Sequence, residues 1–188
     1  MIEIPKYSIG TYDPNSLAIN QRSDFTRRIP TGLKPRQAAR DSKIAMQIIR
    51  AEGHPDEMID IFTRKAPLLS NPRYWELMRT VWVAAGSTET ANLFRKMMCS
   101  TRPCKSWFMT PEDAAALEAM EFPITVWRAW DVERYPRNTD PGISWTLDEQ
   151  WCREYAKAKG RVVKMMQVSR EQVFAYVSRR GEEEVIIL

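Results

Sequence analysis

The chain has 188 residues, 44% hydrophobic and 28% charged, with a formal net charge of +4 and a pI near 9.0. This is the composition and length of an ordinary soluble globular protein, and it excludes collagen-like, mucin-like and wholly disordered chains. No stretch approaches the ~20 apolar residues of a membrane span, and the amino terminus lacks a signal-peptide profile, so the expectation is a cytoplasmic protein with no membrane partner.

Residues 1–33 are rich in Pro, Asn, Ser and Arg without sustained periodicity, which predicts an N-terminal arm with at most a short strand in IEIPKYSI. The basic excess lies upstream of residue 121. Between residues 22 and 50, Arg22, Arg27, Arg28, Lys34, Arg36, Arg40, Lys43 and Arg50 face only Asp24 and Asp41, whereas residues 121–188 hold eleven basic and eleven acidic side chains. Residues 22–50 could therefore attract nucleic acid or an acidic partner, although a solvated basic helix face explains them equally well, since only Phe25 interleaves an aromatic ring.

Residues 34–120 read as a helical region. KPRQAARDSKIAMQIIRAEG sets Ala38, Ile44, Ile48 and Ile49 near one stripe, and EMIDIFTRK, NPRYWELMRTVWVAAG and STETANLFRKMM are three further helices. Within them Trp75, Leu77, Met78, Val81 and Trp82 recur at three- and four-residue steps, the mark of a buried face. His54 lies in the polar turn AEGHPDEM, more a turn residue than a catalytic base. Cys99, Cys104 and Cys152 have no CxxC spacing, so reduced, non-catalytic thiols and no metal are expected. MTPEDAAALEAM is a helix with Thr110 as N-cap and Pro111 at its first position.

The texture then changes. ITVWRAW (124–130), RVVKMMQV (161–168), VFAYV (173–177) and EVIIL (184–188) are short β-branched or aromatic runs between turns. Between the first two, TLDEQWCREYAKAKG is a helix with Thr146 and Glu149 as its capping box, Leu147, Trp151 and Tyr155 at four-residue steps and Gly160 as its stop. The expected fold class is α+β, an all-helical part followed by a compact sheet region at 121–188.

Three features of that region are chemically unusual. Arg128 is a charge inside an apolar strand, where alternation puts it with Ile124, Val126 and Trp130; a half-buried arginine needs an anion, either a ligand's or an internal carboxylate's. GISWT delivers Ser144 and Thr146 to one face, where hydroxyls can hold a carboxylate or a ligand hydroxyl, unless Thr146 is only a cap. RRGEEEVIIL places Glu182 and Glu184 two residues apart, so an extended backbone points both the same way, an arrangement that stability alone does not favour; an exposed acidic turn is the alternative.

In that order, ITVWRAW, GISWTLDEQWCREYA and RRGEEEVII resemble the motifs of the R-S-E class of mono-ADP-ribosyltransferases, near the spacing of its compact phage and bacterial members. The resemblance covers roughly residues 121–188 and implies a split β-sheet holding NAD as substrate. It also implies Arg128 on the dinucleotide's phosphates and ribose, Ser144 buttressing the catalytic carboxylate, Ser144 and Thr146 among the NAD-binding residues, Glu184 as that carboxylate and Glu182 on the acceptor. Tyr135, in the loop DVERYPRNTDP, is the aromatic candidate for stacking on nicotinamide. The implied activity is transfer of one ADP-ribose to a target or host protein side chain, arginine favoured. The implied setting is a phage or bacterial effector in host cytoplasm, directed at transcription or defence. NAD hydrolysis, ADP-ribosylation of nucleic acid and a non-catalytic anti-defence module are the alternatives. The RNA phosphotransferases of related fold depend on histidines and do not fit a chain with one.

Overall fold

The computed structural model describes residues 32–136, 142–178 and 183–188. The expected arm and its short strand fall almost wholly outside these residues, as does Glu182. The described chain is α+β, with six α-helices and one five-stranded antiparallel sheet. No helix among the described residues is long and apolar enough to cross a membrane.

Four helices come first: α1 (Pro35–Arg50), α2 (Pro55–Lys65), α3 (Asn71–Ala85) and α4 (Ala91–Met98). Proline occupies an early position of the first three, where its missing N–H costs nothing and its fixed φ starts the turn. The helix expected from Ser87 starts only at Ala91. The reason is local: Thr90 Oγ1 accepts from the Ser87 N–H at 2.9 Å and donates to the Ala85 carbonyl at 3.3 Å, which holds 87–90 as a turn. Helix α5 (Pro111–Glu118) has the expected cap, with Thr110 accepting from the Asp113 N–H and Asp113 returning a bond to the Thr110 N–H.

The strands are β1 (Ile124–Trp130), β2 (Ser144–Thr146), β3 (Val162–Val168), β4 (Val173–Val177) and β5 (Glu184–Ile187), with α6 (Glu149–Lys159) between β2 and β3. Their order is β3-β1-β2-β5-β4. Because β2 and β3 both run antiparallel to β1, they are parallel to each other and need a crossover, which α6 supplies. Thr146 does not cap α6, contrary to the expected capping box. Asp148 is the cap, accepting from the Trp151 N–H at 2.8 Å, while the Leu147 N–H remains bonded to the Glu183 carbonyl. The β ladder therefore runs past Thr146 and leaves the start of the helix to the next competent acceptor.

Two apolar clusters flank the sheet. One joins α1, α2 and α3 residues such as Ile48, Phe62, Trp75 and Val81 to Ile143, Ala175, Val177 and Ile186, so helices and sheet share a core. The other packs Leu117 of α5 on Val126, Val168, Val185 and Ile187. A register shift between Val173 and Ala175 turns Phe174 toward the first cluster, where it meets Trp75 and Phe108 at ring-centroid distances of 6.0 and 5.1 Å. Buried Asp113 ties the pieces together at the β4 edge. It accepts from Arg79 of α3 at 2.7 Å and from the Ser178 hydroxyl and N–H at 2.6 and 3.1 Å.

Candidate active site

Strand β2 sets the geometry of the site. The Ile187 N–H bonds to the Ile143 carbonyl and the Leu147 N–H to the Glu183 carbonyl, each at 2.9 Å, so the odd-numbered residues here make the ladder with β5. In an antiparallel pair the intervening residues turn their backbone groups the other way, so the Ser144 carbonyl points toward β1. Yet β1 meets β2 through one register pair, Trp127 with Thr146. Arg128 takes up the acceptor left over, its guanidinium donating to the Ser144 carbonyl at 2.6 Å and to Thr88 Oγ1, in the α3–α4 turn, at 3.0 Å.

Alternation alone assigns Arg128 to the face of Val126, but these bonds carry its charged end to the opening between the two strands. Gly142 makes room for it. A Cβ there would overlap the guanidinium, so any other residue would displace Arg128.

On the other side of β2 the register pairs Thr146 with Glu184 and Ser144 with Ile186. Directly opposite residues share a face with Cβ atoms about 5 Å apart, so the hydroxyls and the carboxylate stand on the same side of the sheet. Thr146 is buried, and its Oγ1 accepts from the Asp148 N–H at 3.0 Å. Glu184 receives a bond that comes from outside the sheet, because the indole Nε1–H of Trp82, near the end of α3, donates to its two carboxylate oxygens at 3.2 and 3.3 Å. Trp82 is buried edge-on against Phe94 at 5.0 Å. Gly86 lies close behind it, and a Cβ at Gly86 would come within 2.8 Å of the indole ring.

These residues converge on one cavity of about 320 Å³. Arg128, Ser144, Thr146 and Glu184 all line it, as do Trp82 and Gly142. Its volume is at the lower end of small-molecule sites, roughly 300–1,000 Å³. Helix α6 adds Trp151 and Tyr155, stacked at 5.2 Å with rings 6° from parallel, and the Arg161 guanidinium sits 5.5 Å from the Tyr155 ring centre. Trp151 is 38% exposed, so the four-residue step from Trp151 to Tyr155 presents aromatic surface at the cavity. Cys152 also lines the cavity, and burial pushes its thiol above the ordinary value, outweighing the pull of nearby Arg153 and Arg128.

Tyr135 does not line this cavity. Its carbonyl accepts from the Trp130 indole at 3.1 Å, and Arg134 beside it pairs with Glu89. Trp82, Gly86 and Gly142 have no distinguishing signal in the sequence. A comparison with protein families, curated proteins and solved structures gives no match.

The cavity thus combines a carboxylate, several hydroxyls, the guanidinium groups of Arg128 and Arg161 and flat aromatic surface. Such a set can hold a ligand with an anionic part and a planar ring, and it can stabilise positive charge developing near Glu184.

Proposed function

We propose that the protein is a mono-ADP-ribosyltransferase that cleaves NAD and transfers ADP-ribose to a protein side chain. The observation that carries the reading is the strand order β1-β2-β5, which brings Arg128, Ser144, Thr146 and Glu184 from three consecutive strands to one cavity. These are the residues through which the sequence resembles the R-S-E class; the sheet is continuous rather than split as the resemblance implies, with its β1–β2 junction held by one register pair.

The chemistry follows from the side chains. Breaking the bond between nicotinamide and ribose leaves positive charge on the sugar. The Glu184 carboxylate lowers the energy of that state, an effect of about 3 kcal/mol for a well-placed group. Ser144 and Thr146 keep the strand face polar around it, and the Trp82 indole fixes its carboxylate. A guanidinium fork matches pyrophosphate oxygens in pairs, the role this reading gives Arg128.

The test is nicotinamide release from NAD by the purified chain, with transfer from labelled NAD to proteins of a bacterial lysate measured in parallel. Release with labelling supports the transferase, and release alone means a glycohydrolase. Glu184→Gln should lower turnover by about 10² to 10³ while NAD still binds, because shape is kept and charge lost. No release and no labelling by the wild-type chain overturns the reading.

A further inference from the structure

The outer side of α1 carries a ridge of cations with no role in the fold or the cavity. Arg36, Arg40, Lys43, Gln47 and Arg50 recur at alternating four- and three-residue steps, which sets them in one line along the helix. The four cations are exposed, and none has an ion-pair partner among the described residues. Asp41 is the one acid of α1, and it is turned inward, accepting from the Ser70 hydroxyl at 2.5 Å and from Gln37 at 2.8 Å. Like charges at such spacings weaken a helix, so the ridge costs stability that its own packing does not return. Ile44, Ala45 and Ile48 bury the opposite side against α2 and α3.

We propose that this ridge docks the phosphodiester backbone of a double-stranded nucleic acid. From Arg36 to Arg50 it spans about 21 Å at 1.5 Å per residue, long enough to follow several successive phosphates. Arginine, lysine and glutamine are side chains that bind phosphate oxygens without reading bases. A single strand would need aromatic rings for stacking, and α1 has none. An acidic protein partner would call for apolar or aromatic anchors within the ridge, and the exposed apolar side chain of α1, Met46, lies beside it. Helix α1 contributes nothing to the cavity lining, so a docked duplex leaves the cavity open. The inference goes beyond the transferase reading and does not depend on it.

The experiment is fluorescence anisotropy with a labelled DNA duplex of about 20 base pairs, longer than the ridge at ~3.4 Å per pair. With four phosphate contacts, each contributing about 0.9 to the salt slope, affinity should fall about 10²-fold between roughly 50 and 200 mM salt. In R36Q/R40Q/K43Q one contact remains, so binding should be weak and its salt dependence about threefold over that range. A control removing the same charge from exposed Lys96, Lys157 and Lys159 should bind as the wild type does. Circular dichroism melts establish that both variants fold. No binding at the lower salt, or equal loss in the control, overturns the proposal. So does competition by polyglutamate as effective as by unlabelled duplex at equal charge, which would point to an acidic protein.

Discussion

The Trp82 indole N–H, in the helical region, is hydrogen-bonded to the carboxylate of Glu184, 102 positions later on strand β5. The bond makes the helices part of the candidate site. A carboxylate at the end of an edge-proximal strand can adopt several rotamers, and a buried donor that reaches both oxygens selects one.

Trp82→Phe keeps most of the buried ring and removes the donor. The expected outcome is a folded protein whose nicotinamide release at saturating NAD falls about 10- to 150-fold, since a hydrogen bond to a charged group contributes about 1.5–3 kcal/mol. KM for NAD should change little, because Arg128 and the cavity walls remain. An unchanged turnover would make Trp82 a packing residue only.

Gly142→Ala tests the seat of Arg128. The added methyl overlaps the guanidinium and forces it away from the Ser144 carbonyl. NAD affinity by calorimetry should drop by about tenfold or more, and Arg128→Lys should give a similar loss because a point charge replaces a fork. If Arg128→Lys binds NAD normally, Arg128 is a sheet-joining residue rather than a ligand contact.

The strands β1 and β4 are legible to the residue as runs of β-branched and aromatic side chains between turns, and α3 and α5 start where Asn71 and the Thr110 cap with Pro111 place them, whereas α2 starts at Pro55, two residues before the expected Glu57, because a proline suits the first helical position. Arg128 stands out in the sequence as a charge inside an apolar run, and Ser144 and Glu184 as polar residues that open short strands. Trp82 does not, since a core tryptophan and one aimed at a carboxylate share the same helical spacing. Gly86 and Gly142 are also silent, because their importance is the nearness of another chain segment. Thr146 and Asp148 are both competent caps, and the choice between them depends on where the ladder with β5 ends.

Variants of Glu182 and Glu184 test whether transfer and hydrolysis can be separated. If Glu182 engages the acceptor and Glu184 the ribose, removing one does not mimic removing the other. Glu182→Ala should lose labelling of the macromolecular target yet keep slow nicotinamide release, whereas Glu184→Ala should lose both. Equal loss of both activities in folded Glu182→Ala would assign Glu182 to the NAD site, and full transfer would mean that it takes no part in either step.

Asp113 gives the fold an acid-sensitive joint. Burial by itself would raise its pKa, but the bonds from Ser178 and the Arg79 guanidinium outweigh that effect and hold it below the ordinary aspartate value. A carboxyl with a depressed folded pKa contributes stability that is fully present above its unfolded pKa, about 3.9, and is lost as pH falls through the lower folded value. Protonation removes the pairing with Arg79, which is itself only 17% exposed, and weakens the links among α3, α5 and the end of β4. Asp113→Asn should therefore destabilise the protein at neutral pH by about 3 kcal/mol, within the range for removing one partner of a buried pair. Between pH ~4 and ~2 its thermal midpoint should decline less steeply than that of the wild type. Parallel curves for the two proteins through this window would mean that other carboxylates set the acid transition.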